Sequence, residues 1–241
     1  MPVWWGKNQA GMQAREELVD RETPVGENGM WLPYIEAKPL SAAKEAWLRA
    51  RDLMLKASEE LAQIGLHKQL CNRLIEPWMF ITVIVSATEF DNWFHLRNHK
   101  DAQPEIAWVA REMWRQYQEA VPDTVKAGDW HLPLIYEEDW DAAFDLTKAH
   151  SGQTVELLKK VSTGRCARVS YLTHDGKRDL LEDVKLHDRL ISGMETDEPL
   201  HMSPFEHVAQ ALSLPVQSGN FRGWKQYRKE FTKEHFGGPM P

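Results

Sequence analysis

The sequence predicts a mixed α/β (α+β) protein, and three stretches carry that prediction. From Ser41 to Gly65 the apolar residues Ala43, Trp47, Ala50, Leu53, Met54, Ala57, Leu61 and Ile64 recur with the helical period. Trp78 to Val85 is a continuous apolar run rich in Ile, Thr and Val, which suits a buried strand or the start of a buried helix. Arg165 to Leu172 alternates like a strand, or like a strand leading into a helix.

Taken in order, residues 2–39 are rich in Gly, Pro, Asn and Trp and keep no period, so they form an irregular arm. Ser41 is the expected N-cap of the first long helix and Gly65 its C-cap. His67 to Leu74 is a second short helix, stopped before Pro77. Ser86 to Ile106 sets Thr88, Asn92, His95, Arg97, Gln103 and Glu105 among aromatics. Positions 88, 92 and 95 are expected on one helical face. Pro104 begins a helix that runs to Ala120. Residues 121–150 read as a connecting region. Helices follow from Thr154 and over Leu180 to Ile191. A last helix is expected from His201 to Leu212, with Ser203 as N-cap, Pro204 at its first position and Glu206 closing a capping box. The tail from Gly219 to Phe231 is basic and aromatic. The whole is expected to be a single domain, residues 1–241. Its parts are the arm (1–40), a helical part (41–125) and a C-terminal part (160–241).

Composition narrows the function. The 241 residues carry a net charge of −7 with no block of like charges, which excludes a broad nucleic-acid-binding surface. The longest apolar run is too short to span a bilayer, and no signal-peptide pattern opens the chain. The two cysteines, Cys71 and Cys166, lie far apart without a CxxC, so free thiols and a cytoplasmic location are expected. The chain lacks GxGxxG, P-loop, HExxH and GxSxG motifs. His201, Glu206 and His207 do not have metal-ligand spacing on a helix, so no metal is expected. Arg73, Arg97, Arg222 and Arg228 stand near aromatics and amides, and guanidinium forks suit an anionic, planar ligand.

Four segments then resemble one family. Asn92-Trp-Phe-His-Leu-Arg97 with Ala102-Gln103-Pro104-Glu105-Ile106 resembles the nucleotide- and flavin-binding segment of flavin-dependent thymidylate synthases. Arg73-Leu-Ile-Glu-Pro77 is similar to that family's Arg-x-x-x-Pro segment. Cys166-Ala-Arg-Val-Ser-Tyr171 and His201-Met-Ser-Pro-Phe-Glu-His207 resemble its AARVSY and HxSPFEH segments. Most of the family has these two segments first. Here they come last, as in a permuted subgroup from bacteriophages. The family's Arg-His-Arg-x-x-Ser signature is absent from this sequence, and Arg222 to Arg228 with Glu234 is only a partial echo. The chain is therefore expected to be a fragment, one product of a split gene, or a diverged member.

The resemblance implies helices packed on a small, largely antiparallel sheet. It implies reductive methylation of dUMP to dTMP with methylenetetrahydrofolate and NADPH, through FAD. Two alternatives stay open. One is a related pyrimidine enzyme acting on dCMP or giving a hydroxymethyl product. The other is an incomplete, non-catalytic chain that needs a partner carrying the signature. By position, Arg97 corresponds to the arginine at the uracil edge and Arg73 to a dUMP-binding arginine. Ser86, Thr88, Asn92 and Ser203 correspond to flavin-contacting positions, although Asn and Arg are common in the family where Ser86 and Thr88 stand. A homotetramer with flavin between subunits is implied, and no cysteine nucleophile is needed.

Overall fold

The computed structural model describes residues 2, 5–7, 16–148, 150–169, 179–192 and 201–231. These residues build a mixed α+β fold whose sheets are all antiparallel. The chain divides into two compact units, residues 1–80 with 90–121, and residues 81–89 with 122–241.

The first unit begins with a two-residue ladder, β1 (Gly6–Lys7) against β2 (Glu16–Glu17). A single turn, α1 (Tyr34–Ala37), leads into α2 (Pro39–Ile64). Ser41 is not its N-cap. Pro39 occupies the first turn, and the cap comes from Asp20, whose carboxylate accepts the N–H groups of Leu40 (3.0 Å) and Ser41 (3.1 Å). The Ser41 hydroxyl donates to the same carboxylate and holds its pKa below the ordinary range. Gly65 closes the helix as expected, at φ 95°, where a side chain would be strained.

α3 (Lys68–Arg73) follows, and Ser58 of α2 donates to the Cys71 carbonyl at 3.1 Å. α4 (Asp91–Arg97) and α5 (Pro104–Glu119) pack through aromatics. Buried Phe94 meets Trp114 edge-on at 4.9 Å and Tyr117 at 5.5 Å, and Ala107 and Ala110 of α5 are buried.

The apolar run is neither a buried strand nor a buried helix. Trp78 ends a 3-10 turn, and residues 79–85 form no regular element. Phe80 is 100% exposed and Ile81 78%. A strand needs a neighbour to satisfy its backbone, and among the described residues none pairs with this run.

In the second unit, β3 (Trp130–His131), β4 (Ala209–Ala211) and β7 (Trp224–Gln226) form a three-stranded sheet with β4 central. β5 (Gln217–Ser218) and β6 (Phe221–Arg222) form a hairpin. The helices are α6 (Glu137–Leu146), α7 (Ser151–Arg168) and α8 (Leu180–Leu190). Residues 121–150 are thus more than a connector, since their acidic stretch opens α6.

Arg165 to Arg168 ends α7 rather than forming a strand. α7 is buried on several sides, so its sequence shows little helical contrast between faces. Residues 170–172 lie outside the described residues. The expected helix from His201 is one 3-10 turn, Ser203–Glu206, with Met202 at its cap. The chain then turns into β4, because Ala209 and Ala211 alternate inward. Met202, Phe205, Val208 and Tyr227 make the core beneath, flanked by Trp130, Leu132, Leu190, Ile191 and Phe231.

Candidate functional site

In the first unit α4 carries the residues of interest. The helix starts at Asp91, so Thr88 lies outside it, and the expected face of 88, 92 and 95 does not form. Asn92 and Arg97 are exposed on α4, and Arg73 is exposed at the end of α3. Asp91, His95 and Asn98 instead line a groove of about 340 Å³ with Phe94 and Trp114. A second groove of about 310 Å³, lined by Phe90, Met113, Gln116 and Tyr117, is almost wholly apolar. Each offers an aromatic wall against which a planar ring packs well.

In the second unit Ser86 and Thr88 have definite partners. The Ser86 hydroxyl lies 3.1 Å from Nδ1 of His207. Oγ1 of Thr88 accepts the Arg222 N–H at 3.1 Å. The segment 81–89 is thereby fastened to the turn after Ser203 and to the β5–β6 hairpin. Burial lowers the His207 pKa against the opposing charge of Glu206, so its ring favours the neutral form. Glu206 is paired with Arg228, and Gln226 donates to the Glu206 carbonyl at 3.3 Å and to Asn220 at 2.9 Å. Ser203 is exposed at the start of its turn.

The sequence reading named Ser86 and Thr88 but did not connect them to His207 and Arg222. Only the chain reversal at β6 brings Arg222 next to a residue 134 positions earlier. With Glu206 occupied by Arg228, His201, Glu206 and His207 do not form a metal site. Among the described residues no group of three His, Cys, Asp or Glu side chains can hold a metal ion.

Neither cysteine is placed for nucleophilic work. Both are buried, and burial pushes the Cys166 thiol up to about 12. Among the described residues no helix is long and apolar enough to cross a membrane.

Comparison with known sequences bears directly on α4. Residues 13–123 match the family described as thymidylate synthase complementing protein. Over that stretch the chain is similar to this family. The stretch contains Arg73, Ser86, Thr88, Asn92 and Arg97, whereas Ser203 lies beyond it. Neither the curated proteins nor the solved structures compared give a match. The resemblance seen in the α4 segment therefore has independent support at the family level, and that family is flavin-dependent.

The residues present can be asked whether they suit a flavin. Thr88 only accepts in its bond to Arg222, so its hydroxyl proton is available to a ligand. The Asn92 amide and Ser203 hydroxyl are exposed, and each can donate and accept. Taken singly, each is a neutral group able to hydrogen-bond the polar edge of an isoalloxazine or a ribityl chain.

Proposed function

We propose that this chain is a flavin-dependent thymidylate synthase that methylates dUMP reductively to dTMP, with methylenetetrahydrofolate and NADPH as co-substrates and FAD as cofactor. The carrying observation is the family match over residues 13–123, which includes Asn92 and the Leu96–Arg97 pair on α4. Bound FAD would supply hydride transfer. Ser86, Thr88, Asn92 and Ser203 would hold it through neutral hydrogen bonds. Arg97 is the catalytic residue of this reading. Its guanidinium faces the uracil edge and stabilises negative charge on the ring, an effect worth a few kcal/mol in a dry site. Arg73 binds the nucleotide phosphate or base. Neither role calls for a thiol, in keeping with two buried cysteines.

The reading includes self-association, up to a homotetramer. Support comes from the apolar run at 79–85, where Met79, Phe80, Ile81, Val83 and Val85 are exposed in the single chain, and from exposed Leu53 and Ile64 on α2.

The deciding experiment loads the purified chain with FAD and supplies dUMP, methylenetetrahydrofolate and NADPH. Formation of dTMP, lost in Arg97→Lys because an ammonium cannot reproduce the forked contact, is the expected result. No flavin binding and no dUMP-dependent change would overturn it. Parallel assays with dCMP, and analysis for hydroxymethyl products, identify a related pyrimidine substrate. Activity that appears only on adding a polypeptide with the Arg-His-Arg signature identifies an incomplete chain.

A further inference from the structure

The second unit holds a cavity of about 510 Å³ that the thymidylate-forming reading does not use. Its walls are Trp130 of β3, Trp140 of α6, Val155 and Glu156 of α7, and Thr124 and Asp129 from the loop before β3. The volume falls within the range of small-molecule sites, roughly 300–1,000 Å³.

Two of these walls are held by one buried cation. Lys159 is only 2% exposed, and its Nζ lies 4.1 Å from the Trp130 ring centroid. The same ammonium donates to both carboxylate oxygens of Glu156, at 2.9 and 3.0 Å, and to Glu230 at 3.1 Å. Tyr227 braces the Trp130 ring edge-on at 5.8 Å. The loop is pinned to β4 as well. Gly128 N–H donates to the Ala211 carbonyl, and the Gln210 amide returns a bond to the Gly128 carbonyl. An indole and a carboxylate are therefore fixed before any ligand arrives, which lowers the ordering cost of binding.

The chemistry of the walls selects the ligand. The lining has two carboxylates and no Lys or Arg, so an anionic group is kept out of the cavity itself and a charged tail would stay outside it. Two indoles favour a flat ring over a branched chain. Each oxygen of Glu156 has a lone pair beyond the one used by Lys159, so the carboxylate can still accept two parallel N–H groups.

We infer that this cavity binds a planar heterocycle through a 2-amino-4-oxopyrimidine edge, stacking on the indoles of Trp130 and Trp140 and donating to Glu156. A pterin and a guanine both present that edge.

The test is equilibrium dialysis of the intact chain, without FAD or dUMP, against folic acid, guanosine and choline chloride. Folic acid or guanosine is expected to bind, and choline to displace neither. Trp140→Ala and Glu156→Gln should each weaken binding at least tenfold, and Arg97→Lys should leave it unchanged. Tighter binding of folic acid assigns the pterin, and tighter binding of guanosine assigns a nucleobase with the same edge. If Glu156→Gln loosens the fold through Lys159, Trp140→Ala still decides, since that side chain is 41% exposed. Unchanged binding in the Trp140 variant, displacement by choline, or no binding of either ring overturns the inference. None of these results touches the thymidylate reading, whose own failure would be loss of dTMP formation with ring binding intact.

Discussion

The guanidinium of Arg165 meets the Asp139 carboxylate through two hydrogen bonds, of 2.5 and 2.7 Å, with both side chains buried. The same arginine donates to Asp183 at 3.0 Å and to the Leu134 carbonyl at 2.7 Å, and Arg168 also pairs with Asp183. Asp139 in turn accepts the Tyr136 N–H that opens α6. One balanced cluster of two arginines and two aspartates thus ties α6, α7 and α8 together.

Replacing Arg165 with Met would leave Asp139 without its bidentate partner in a dry site. Breaking a buried pair from one side costs about 3–5 kcal/mol. Urea unfolding should show that loss. The double variant Arg165→Met with Asp139→Asn should recover part of it, and a cost below about 1 kcal/mol would mean the cluster is wetter than its burial implies.

Gly164 allows α7 and α8 to touch. A Cβ built there would lie 2.4 Å from the Asp183 carbonyl oxygen and 3.1 Å from its Cα, so the backbone of α8 would have to move. Gly164→Ala is expected to destabilise the fold by about 1–3 kcal/mol, despite the better helix propensity of alanine. A neutral or stabilising result in thermal unfolding would show that the helices can separate freely at this point.

What the sequence made legible follows from where each signal arises. α2, α5 and α8 have one apolar and one polar face, and their periodicity located them to within a few residues. The α4 residues could be found because their types and spacing recur in a family. α7 could not be seen as one helix. It is surrounded, so Lys159, Ser162 and Arg165 are buried polar residues with partners on other elements, while buried Thr163 donates to the Lys159 carbonyl of α7 itself. The strand β4 was hidden because Ser-Pro-x-Glu is a strong helix-opening pattern, and pairing with β3 and β7 overrides it after one turn. The run at 79–85 misled for the opposite reason. Local apolarity says a segment needs cover, and says nothing of whether the same chain supplies it. The pairings of Ser86 with His207 and of Thr88 with Arg222 depend on chain reversal over more than a hundred residues, beyond the reach of any local pattern.

Stability should fall on mild acidification, with His187 as a main contributor. Its ring is 1% exposed, sits against Phe205, Tyr227 and Phe231, and has Asp188 at Nδ1 and the Tyr227 hydroxyl at Nε2. Burial lowers its pKa from 6.5, and this outweighs the raising influence of Asp188, with Lys159 and Lys160 adding to the lowering. His131 and His207 are lowered by burial in the same direction. Below about 6.5 the unfolded chain binds protons that the folded chain refuses. The contribution is therefore complete above that pH and is lost as pH falls toward the folded values. Urea midpoints measured from pH 7.5 to 5 should decline, and His187→Gln should flatten part of the slope. An unchanged slope would place the effect on other groups.

The last prediction concerns Phe80 and Ile81, which a solitary chain leaves in water. Polar substitution of a side chain without contacts has little effect on folding, within about 0.5 kcal/mol. Removing an apolar anchor from an interface commonly costs over 1 kcal/mol, about a tenfold loss of affinity. Phe80→Ser and Ile81→Ser should therefore leave the unfolding curve in place while shifting sedimentation toward smaller species. If these residues instead fold against their own chain, the two variants will lower the unfolding midpoint and leave the sedimentation unchanged. The two measurements separate an interface from a core, because burial within one chain acts on folding and burial between chains acts on assembly.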